Sequence, residues 1–283
     1  MKTIRIIPRL DIKGPNLVKG IHLEGLRVLG KPEDFARYYY ENGADELFFQ
    51  DTVASLYDRN SLRDIITKTA KEIFIPLTVG GGLRTIDDIR NVLRAGADKV
   101  AINTAAIKNP QFIREASLKF GSSTIVVAIE AIKGIDGKYF AFTDNGREYS
   151  GLEVVSWARK AEELGAGEIV ITSVDKEGTG EGYDIELIRF ISEAVSIPVI
   201  AHGGASSPAD VVQAIQFGKA DAVAIASILH YSVMQTFGGI SSDYKLEGNI
   251  TFLNSGKIPK KISPSSLKEI RAILINAEIP TRI

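Results

Sequence analysis

The chain has 283 residues, of which 45% are hydrophobic, and a formal net charge of −1. This length fits one large domain or two ordinary ones, and the near-neutral charge gives no indication of nucleic-acid or anionic-membrane binding. The absence of cysteine excludes a disulfide framework, thiolate metal ligands and a cysteine nucleophile. The first residues lack a signal peptide's apolar run, and no segment approaches the roughly 20 apolar residues of a membrane helix, so we expect a cytoplasmic protein.

Short apolar runs alternate with longer amphipathic stretches, and such runs are typical of parallel strands buried on both faces. The predicted strands are Ile4–Pro8, Glu46–Phe49, Pro76–Val79, Lys99–Ile102, Ile125–Glu130, Glu168–Thr172, Pro198–Ala201 and Ala220–Ile225. The predicted helices are Pro32–Asn42, Ser61–Glu72, Thr85–Ala95, Pro110–Phe120, Leu152–Leu164, Ile185–Val195, Pro208–Gly218 and Ser265–Asn276. Eight strand–helix units in alternation predict an α/β fold, a (β/α)8 TIM barrel that forms a single domain over residues 1–283.

The two halves of the sequence resemble each other at an offset of about 120 residues, which equals four strand–helix units. Ile75-Pro76 leads to Val79–Gly82, and Ile197-Pro198 leads in the same way to Ala201–Gly204. Because the matches keep their order and spacing, chance similarity between units is the weaker explanation. We therefore expect two similar half-barrels.

Two loop clusters, one in each half, carry groups suited to binding phosphate. Glycine lets an anion approach the backbone, and neighbouring polar groups add donors. In a barrel these loops share the C-terminal face, where active sites lie. The residues are Gly82, Asn103 and Thr104 in the first half, and Glu177, Gly178, Gly204, Ala226 and Ser227 in the second. One Gly-rich turn is commonly only a turn, but two at equivalent positions predict a ligand with a phosphate at each end.

Two carboxylates, Asp11 and Glu130, follow opposite strands of the predicted barrel. Such a pair can serve as general acid and general base if the surroundings separate the two pKa values. A solvated or salt-bridged loop acid is the alternative for each. Lys19 lies in a Gly-rich segment, residues 14–25, which we expect to be a mobile loop that closes over a substrate, although a surface lysine is equally consistent. The histidines show no metal-ligand spacing, so we predict no metal and no cofactor.

Four charged residues, Arg5, Glu46, Lys99 and Glu168, fall near the starts of the first, second, fourth and sixth strands. They are expected to gather at the N-terminal end of the barrel, where they could form a ring of salt bridges around its axis. The residues by themselves favour ordinary strand-edge charges.

Specific motifs occur along residues 3–231, among them Ile-Pro-Arg-Leu-Asp at 7–11, Pro-Leu-Thr-Val-Gly-Gly-Gly at 76–82 and Gly-Ala-Asp-Lys-Val-Ala-Ile-Asn-Thr at 96–104. They resemble the cyclase subunit of imidazole glycerol phosphate synthase, from histidine biosynthesis. The resemblance implies a heterodimer with a glutaminase subunit on the N-terminal barrel face. Ammonia from that partner would pass along the barrel axis and attack a bisphosphorylated ribulosyl-formimino-carboxamide nucleotide. The products would be imidazole glycerol phosphate and an aminoimidazole carboxamide ribonucleotide.

The resemblance also implies roles for individual residues. Asp11 matches a catalytic acid–base residue, Lys19 a loop lysine, and both loop clusters match phosphate binders. The four charges at the strand starts match an ammonia gate, which favours the ring over strand-edge charges. The sequence departs from the family pattern at Glu130 and Glu177, each in place of Asp, at His202 in place of the usual Ser, and at Arg9 in place of Cys. Residues 234–261 read as an insertion before the last helix, on the active-site face.

Three functions are consistent with these features. The first is the cyclase, which the retained Asp11, Lys19 and phosphate clusters support. The second is a paralogue that passes ammonia to a sugar amidotransferase in surface-polysaccharide synthesis, which Glu130, His202 and the insertion favour. The third is a barrel isomerase acting on a related bisphosphorylated aminoimidazole, against which the gate residues count.

Overall fold

Eight parallel strands form a closed barrel in the computed structural model, which describes residues 3–53, 62–237 and 259–282. Numbering all strands in chain order, the barrel strands are β1 (Arg5–Lys13), β4 (Leu47–Asp51), β5 (Leu77–Gly80), β6 (Lys99–Ile102), β7 (Ile125–Lys133), β10 (Glu168–Ser173), β11 (Val199–His202) and β12 (Ala222–Ile225). Each pairs in parallel with the next, and the pairing of β12 with β1 closes the ring. The predicted (β/α)8 barrel is confirmed.

All eight predicted helices are present and surround the barrel. They are Pro32–Glu41, Arg63–Ala70, Ile86–Ala95, Gln111–Phe120, Val154–Glu163, Ile185–Ala194, Pro208–Gln216 and Leu267–Asn276. Thr85 and Ser266 each begin a helix with a reciprocal capping box, which satisfies backbone N–H groups of the first turn. The helix predicted from Leu152 begins two residues later, because the carboxylate of Glu153 accepts hydrogen bonds from the first-turn N–H groups of Val155 and Ser156.

Two antiparallel hairpins extend the barrel strands at the C-terminal end. After β1 come β2 (Asn16–Ile21) and β3 (Glu24–Gly30), and after β7 come β8 (Tyr139–Thr143) and β9 (Glu148–Glu153). Since β1 and β7 are the first and fifth barrel strands, the two hairpins occupy equivalent positions in the two halves. The prediction of a loop at residues 14–25 was wrong, because β2 pairs with both β1 and β3 through its backbone.

Two further helices were not predicted, and they directly follow the fourth and eighth barrel strands. They span Thr104–Lys108 and Ser227–Phe237. The second is buried on several sides through Ile228, Leu229, Tyr231 and Val233. It includes the first residues of the predicted insertion. Residues 238–258 of that insertion lie outside the described residues, and the insertion and the single-domain boundaries stay predictions.

The barrel interior has three layers. Charged side chains lie at the N-terminal end, and polar side chains lie at the C-terminal mouth. Between them is an apolar middle layer, formed by Ile7, Phe48, Ala101, Val126, Val170, Ile200, Ala222 and Ala224. A second, larger apolar core fills the space between the strands and the surrounding helices. Within the described ranges, no helix is long and apolar enough to cross a bilayer.

The stability of the fold should depend on the apolar core between the strands and the helices. One helix offers a buried and an exposed position at which this can be tested. Ile113 and Leu118 lie on the helix Gln111–Phe120, with 0% and 81% of their surface exposed. We expect Ile113→Ala to lower the free energy of unfolding by about 2 to 5 kcal/mol, because it leaves a cavity. Leu118→Ala should change it by less than about 0.5 kcal/mol. Urea unfolding of both variants measures the difference, and equal losses would contradict this view of the helix.

Candidate active site

The mouth of the barrel holds a cavity of about 310 Å³. Loops and strand ends from both halves contribute to it. Its lining includes Arg9, Gly82, Asn103, Thr104 and Glu130. The structure thus brings the first predicted phosphate cluster and one of the two predicted acid–base residues, Glu130, into one space.

The first phosphate cluster lies on one side of this cavity, where Thr104 opens a short helix. The Asn103 side-chain Nδ2 donates to the carbonyl oxygen of Phe142 at 3.1 Å, whereas its buried Oδ1 has no hydrogen-bond partner among the described residues. The Thr104 hydroxyl accepts a hydrogen bond from the backbone N–H of Asp144 at 3.2 Å and keeps its own proton available. The Asn103 side chain is therefore tied to the β8 hairpin, and the Thr104 hydroxyl remains able to donate to a ligand.

The second phosphate cluster surrounds a much smaller cavity of about 10 Å³, lined by Lys19, Glu177, Gly178, Gly204, Ala226 and Ser227. Gly204 has a φ of +102°, and a Cβ there would lie 2.1 Å from the carbonyl oxygen of Gly182, so only glycine fits. Ser227 begins the helix Ser227–Phe237, whose first N–H groups suit an anion. The residues of the second cluster are assembled, but the space between them is nearly closed.

The side chain of Glu177 accounts for this closure. Its carboxylate forms an ion pair with Lys19 and accepts a hydrogen bond from the backbone N–H of Leu23 at 3.1 Å. The backbone N–H of His22 also donates to the Glu177 carbonyl at 2.9 Å. Both charged side chains are buried, so Lys19 is not a surface lysine. The β2–β3 hairpin is thus fastened over the second cluster.

Asp11 lies at the centre of this network and is 2% exposed. Its carboxylate accepts a hydrogen bond from Arg9 Nε at 3.0 Å and lies 3.6 Å from Lys19 Nζ. Burial opposes ionisation, but the attraction of the two cations is stronger together and holds the pKa of Asp11 below its ordinary value. Asp11 is therefore a carboxylate at neutral pH.

Glu130 has the opposite electrostatic environment. Burial raises its pKa to about 7, although the N–H of Gly146, which donates to Glu130 Oε2 at 2.9 Å, favours the ionised form. Near neutral pH this carboxyl can hold a proton while Asp11 cannot. The surroundings thus separate the two pKa values, as a general acid and a general base require.

Sequence reasoning gave no role to Arg9, which the structure places in the same cavity. Its guanidinium contacts Asp11 and lies 3.1 Å from His202 Nδ1. His202 also lines the second cluster, and burial, with the nearby Arg9 and Lys19, lowers its pKa well below the ordinary value, so its ring is neutral. For Arg9 the only sequence signal was its departure from the pattern of the resembling family, whereas His202 directly follows the seventh predicted strand, next to the second cluster.

The four charged residues at the opposite end form a closed ring of ion pairs. Arg5 Nη1 lies 2.7 Å from Glu46 Oε1 and 2.8 Å from Glu168 Oε1. Lys99 Nζ lies 3.2 Å from Glu46 Oε2 and 3.2 Å from Glu168 Oε2. Each cation therefore bridges both carboxylates across the bottom of the barrel. Ordinary, separate strand-edge charges were the wrong interpretation, while a gating function stays a prediction.

Comparison with known proteins agrees with this architecture. A family model described as "Histidine biosynthesis protein" matches residues 5–235. The chain belongs to this family. Within the histidine biosynthesis family it is 58% identical to imidazole glycerol phosphate synthase subunit HisF of Legionella pneumophila, covering 72% of this chain and 96% of the relative. It is 49% identical to the subunits of the same name from Alkaliphilus metalliredigens and Methanocaldococcus jannaschii, in each case covering 82% of this chain and 92% of the relative.

The raised pKa of Glu130 predicts a pH-dependent effect on stability. Because the folded pKa is about 7 and the ordinary value 4.5, folding is penalised progressively as pH rises through this window. Glu130→Gln removes the charge and keeps an acceptor for Gly146. We expect it to raise the free energy of unfolding by on the order of 2 kcal/mol at pH 8.5 and by less than about 1 kcal/mol at pH 5.

Urea unfolding at both pH values measures this difference. Glu148→Gln, on the exposed side of β9, is the matched control, and its free energy of unfolding relative to the wild type should change equally little at both pH values. A gain in Glu130→Gln that is the same at pH 5 and pH 8.5 would contradict the assigned pKa.

Proposed function

We propose that the chain is the cyclase subunit of imidazole glycerol phosphate synthase and acts as a carbon–nitrogen lyase in histidine biosynthesis. The observation that carries this proposal is the pair Asp11 and Glu130 at one barrel mouth, one ionised and one protonated near pH 7. The similarity to HisF subunits over most of the chain supports it. The substrate is a bisphosphorylated ribulosyl-formimino-carboxamide nucleotide, and the nitrogen source is ammonia.

The two carboxyl groups would divide the proton transfers. When ammonia adds to the substrate, the attacking nitrogen becomes positive and must lose protons before the imidazole ring is complete. The ionised Asp11 is suited to accept such a proton. The amine that leaves as the aminoimidazole ribonucleotide needs a proton, and protonated Glu130 can supply it. Glu130 then operates near its pKa of about 7, where acid–base catalysis is efficient.

The phosphate groups of the substrate would occupy the two clusters. The first, at Gly82, Asn103 and Thr104, adjoins the 310 Å³ cavity and is open. At the second, a phosphate would replace the Glu177 carboxylate as the partner of Lys19 and would accept hydrogen bonds from the N–H groups at the start of the helix Ser227–Phe237. Substrate binding therefore includes release of the β2–β3 hairpin from Glu177.

A glutaminase partner would bind at the N-terminal face, next to the ring of Arg5, Glu46, Lys99 and Glu168. Opening of this ring would admit ammonia to the apolar middle layer of the barrel. An exposed apolar feature lies close by: Phe74 is 80% exposed and contacts the ring of Tyr40 edge-on, with centroids 6.1 Å apart.

The location of the protein in the cytoplasm remains a prediction.

A second candidate function is the relay of ammonia to a sugar amidotransferase. The nearly closed second cluster favours it, because a conduit needs no room for a second phosphate. The two candidates differ in one measurable respect, since only the cyclase converts the bisphosphorylated nucleotide when ammonium salt replaces the partner.

Asp11→Asn tests the cyclase directly. We expect the purified chain to convert the bisphosphorylated nucleotide in the presence of an ammonium salt, and Asp11→Asn to lower this rate by about 100-fold or more, because the amide cannot accept a proton. Asp136→Asn, in the exposed turn after β7, is the matched control and should keep the wild-type rate. A folded wild-type protein that binds the nucleotide without converting it would favour the relay.

Phe74→Ala tests the face on which the partner binds. We expect glutamine-dependent turnover of the complex to fall by about tenfold or more, since buried aromatic anchors dominate interface energetics. Turnover with ammonium salt should not change, because Phe74 lies at the opposite end from the mouth. Ile135→Ala, fully exposed at the C-terminal end, serves as control. Equal glutamine-dependent rates in both variants would place the partner elsewhere.

A further inference from the structure

Arg9 extends a buried cation across the mouth of the barrel, and the proposed reaction gives it no role. It begins on β1, yet its Nη1 lies 3.3 Å from Thr172 Oγ1 on β10 and 3.1 Å from His202 Nδ1 on β11. Its guanidinium also lies over the ring of Phe48 on β4, 5.5 Å from the centroid. Two barrel strands on one side and four on the other separate β1 from β10. The side chain therefore spans part of the barrel mouth, above the apolar middle layer.

The contacts of Arg9 fix the state of its neighbours, because a guanidinium can only donate hydrogen bonds. Nε donates to the Asp11 carboxylate at 3.0 Å. Since Nη1 donates to His202 Nδ1, the proton of that neutral ring is on Nε2. The remaining nitrogen, Nη2, has no hydrogen-bond partner among the described residues, and Arg9 lines the 310 Å³ cavity. This charged donor is therefore available to an acceptor atom of a ligand in the cavity.

The backbone of Arg9 is also held in place, by a hydrogen bond from His230. His230 Nε2 donates to the Arg9 carbonyl oxygen at 3.0 Å, so His230 Nδ1 accepts from the Tyr39 hydroxyl at 2.6 Å. Burial lowers the pKa of His230 to about 3, which keeps this ring neutral. Both ends of Arg9 are thus fixed before a ligand arrives, and little conformational entropy is lost when one binds.

We propose that Arg9 is a substrate-binding and positioning residue, whose Nη2 donates to a carbonyl oxygen in the middle of the ligand while Nε orients the Asp11 carboxylate. The proposal rests on the proposed function, whose substrate has a ribulosyl ketone and a carboxamide between its two phosphates. The geometry matches this class of ligand, because Arg9 lies between the first and second phosphate clusters. A neutral acceptor fits this position, whereas a ligand with a cation there would be repelled.

Arg9→Met provides the test, because it keeps the length of the side chain and removes its charge and donors. Calorimetry without ammonia measures the Kd of the bisphosphorylated nucleotide. We expect the Kd to rise roughly ten- to a hundredfold, the effect of one lost hydrogen bond from a charged donor. Lys160→Met removes an exposed cation from the outer helix Val154–Glu163, away from the cavity, and should change the Kd by less than about threefold. The Kd of inorganic phosphate should be equal in all three proteins.

The pH profile of turnover with ammonium salt separates positioning from binding. Loss of Arg9 removes the nearest cation from Asp11, so the acid limb should move to higher pH in Arg9→Met. Arg9→Lys keeps a positive charge and should retain the wild-type acid limb while it binds the nucleotide as weakly as Arg9→Met. The other titratable groups that face this site are the same in every variant: Lys19, Glu130, Glu177, His202 and His230.

The outcomes separate this inference from the proposed function. If folded Arg9→Met binds the nucleotide with the wild-type Kd and its turnover shows the wild-type acid limb, the proposed role of Arg9 is wrong. If the wild type binds the nucleotide without converting it, the cyclase proposal fails, and the Kd comparison still decides the role of Arg9. If the wild type does not bind it at all, both proposals fail. Should Arg9→Met not fold, Arg9→Cys carries the residue of the resembling family and takes its place.

Discussion

The alternation of side chains along β1 is the constraint on which the rest of the site depends. Every second residue of a strand faces the same side. Arg5, Ile7, Arg9 and Asp11 therefore form one column inside the barrel, from the ring of ion pairs through the apolar layer to the mouth. A shift of one residue in the register of β1 would turn the whole column outward. One strand thus links the two ends of the molecule, and its parallel pairing with β12 and β4 fixes where each member lies.

The two carboxyl groups at the mouth, Asp11 and Glu130, have different protonation states, and the cations near Asp11 explain the difference. Asp11 has two cations within its reach, and they keep it ionised despite its burial. Glu130, on the opposite strand β7, is buried with weaker compensation and holds its proton to about pH 7. Two carboxyl groups of nearly equal intrinsic acidity acquire different states because their neighbours differ. The longer side chain of Glu130 also accepts the Gly146 N–H, so the second hairpin positions it in the way that β2 positions the groups around Asp11.

Sequence patterns predicted the barrel because its elements are local. Apolar strands such as Lys99–Ile102 and capped helices such as Ile86–Ala95 carry their signals within a few residues. The hairpin at β2 escaped prediction because its glycines resemble a loop, and only pairing with β1 makes it a strand. The helix Ser227–Phe237 escaped because it is buried on several sides and shows no amphipathic period.

For the candidate site, the sequence predicted where residues lie along the strands but not which side chains contact each other. Positions at strand ends follow from the barrel itself, so Asp11, Glu130 and both phosphate clusters could be located from the sequence. The reach of Arg9 to His202 and the pairing of Lys19 with Glu177 depend on side chains that meet across the barrel. Their partners are 193 and 158 residues away in the chain, and no local pattern encodes such contacts.

The unequal size of the two phosphate clusters has a stereochemical consequence. A barrel built from two similar halves presents nearly the same groups at both sides of its mouth, so a ligand with a phosphate at each end could enter in either direction. One side is open and the other is filled by the Glu177 carboxylate, which under the proposed function a substrate phosphate would displace. This difference breaks the twofold equivalence of the two sites, and it would give a ligand with two phosphates a single orientation. Under the proposed function, the reacting carbon would then present the same prochiral face to the barrel axis in every binding event.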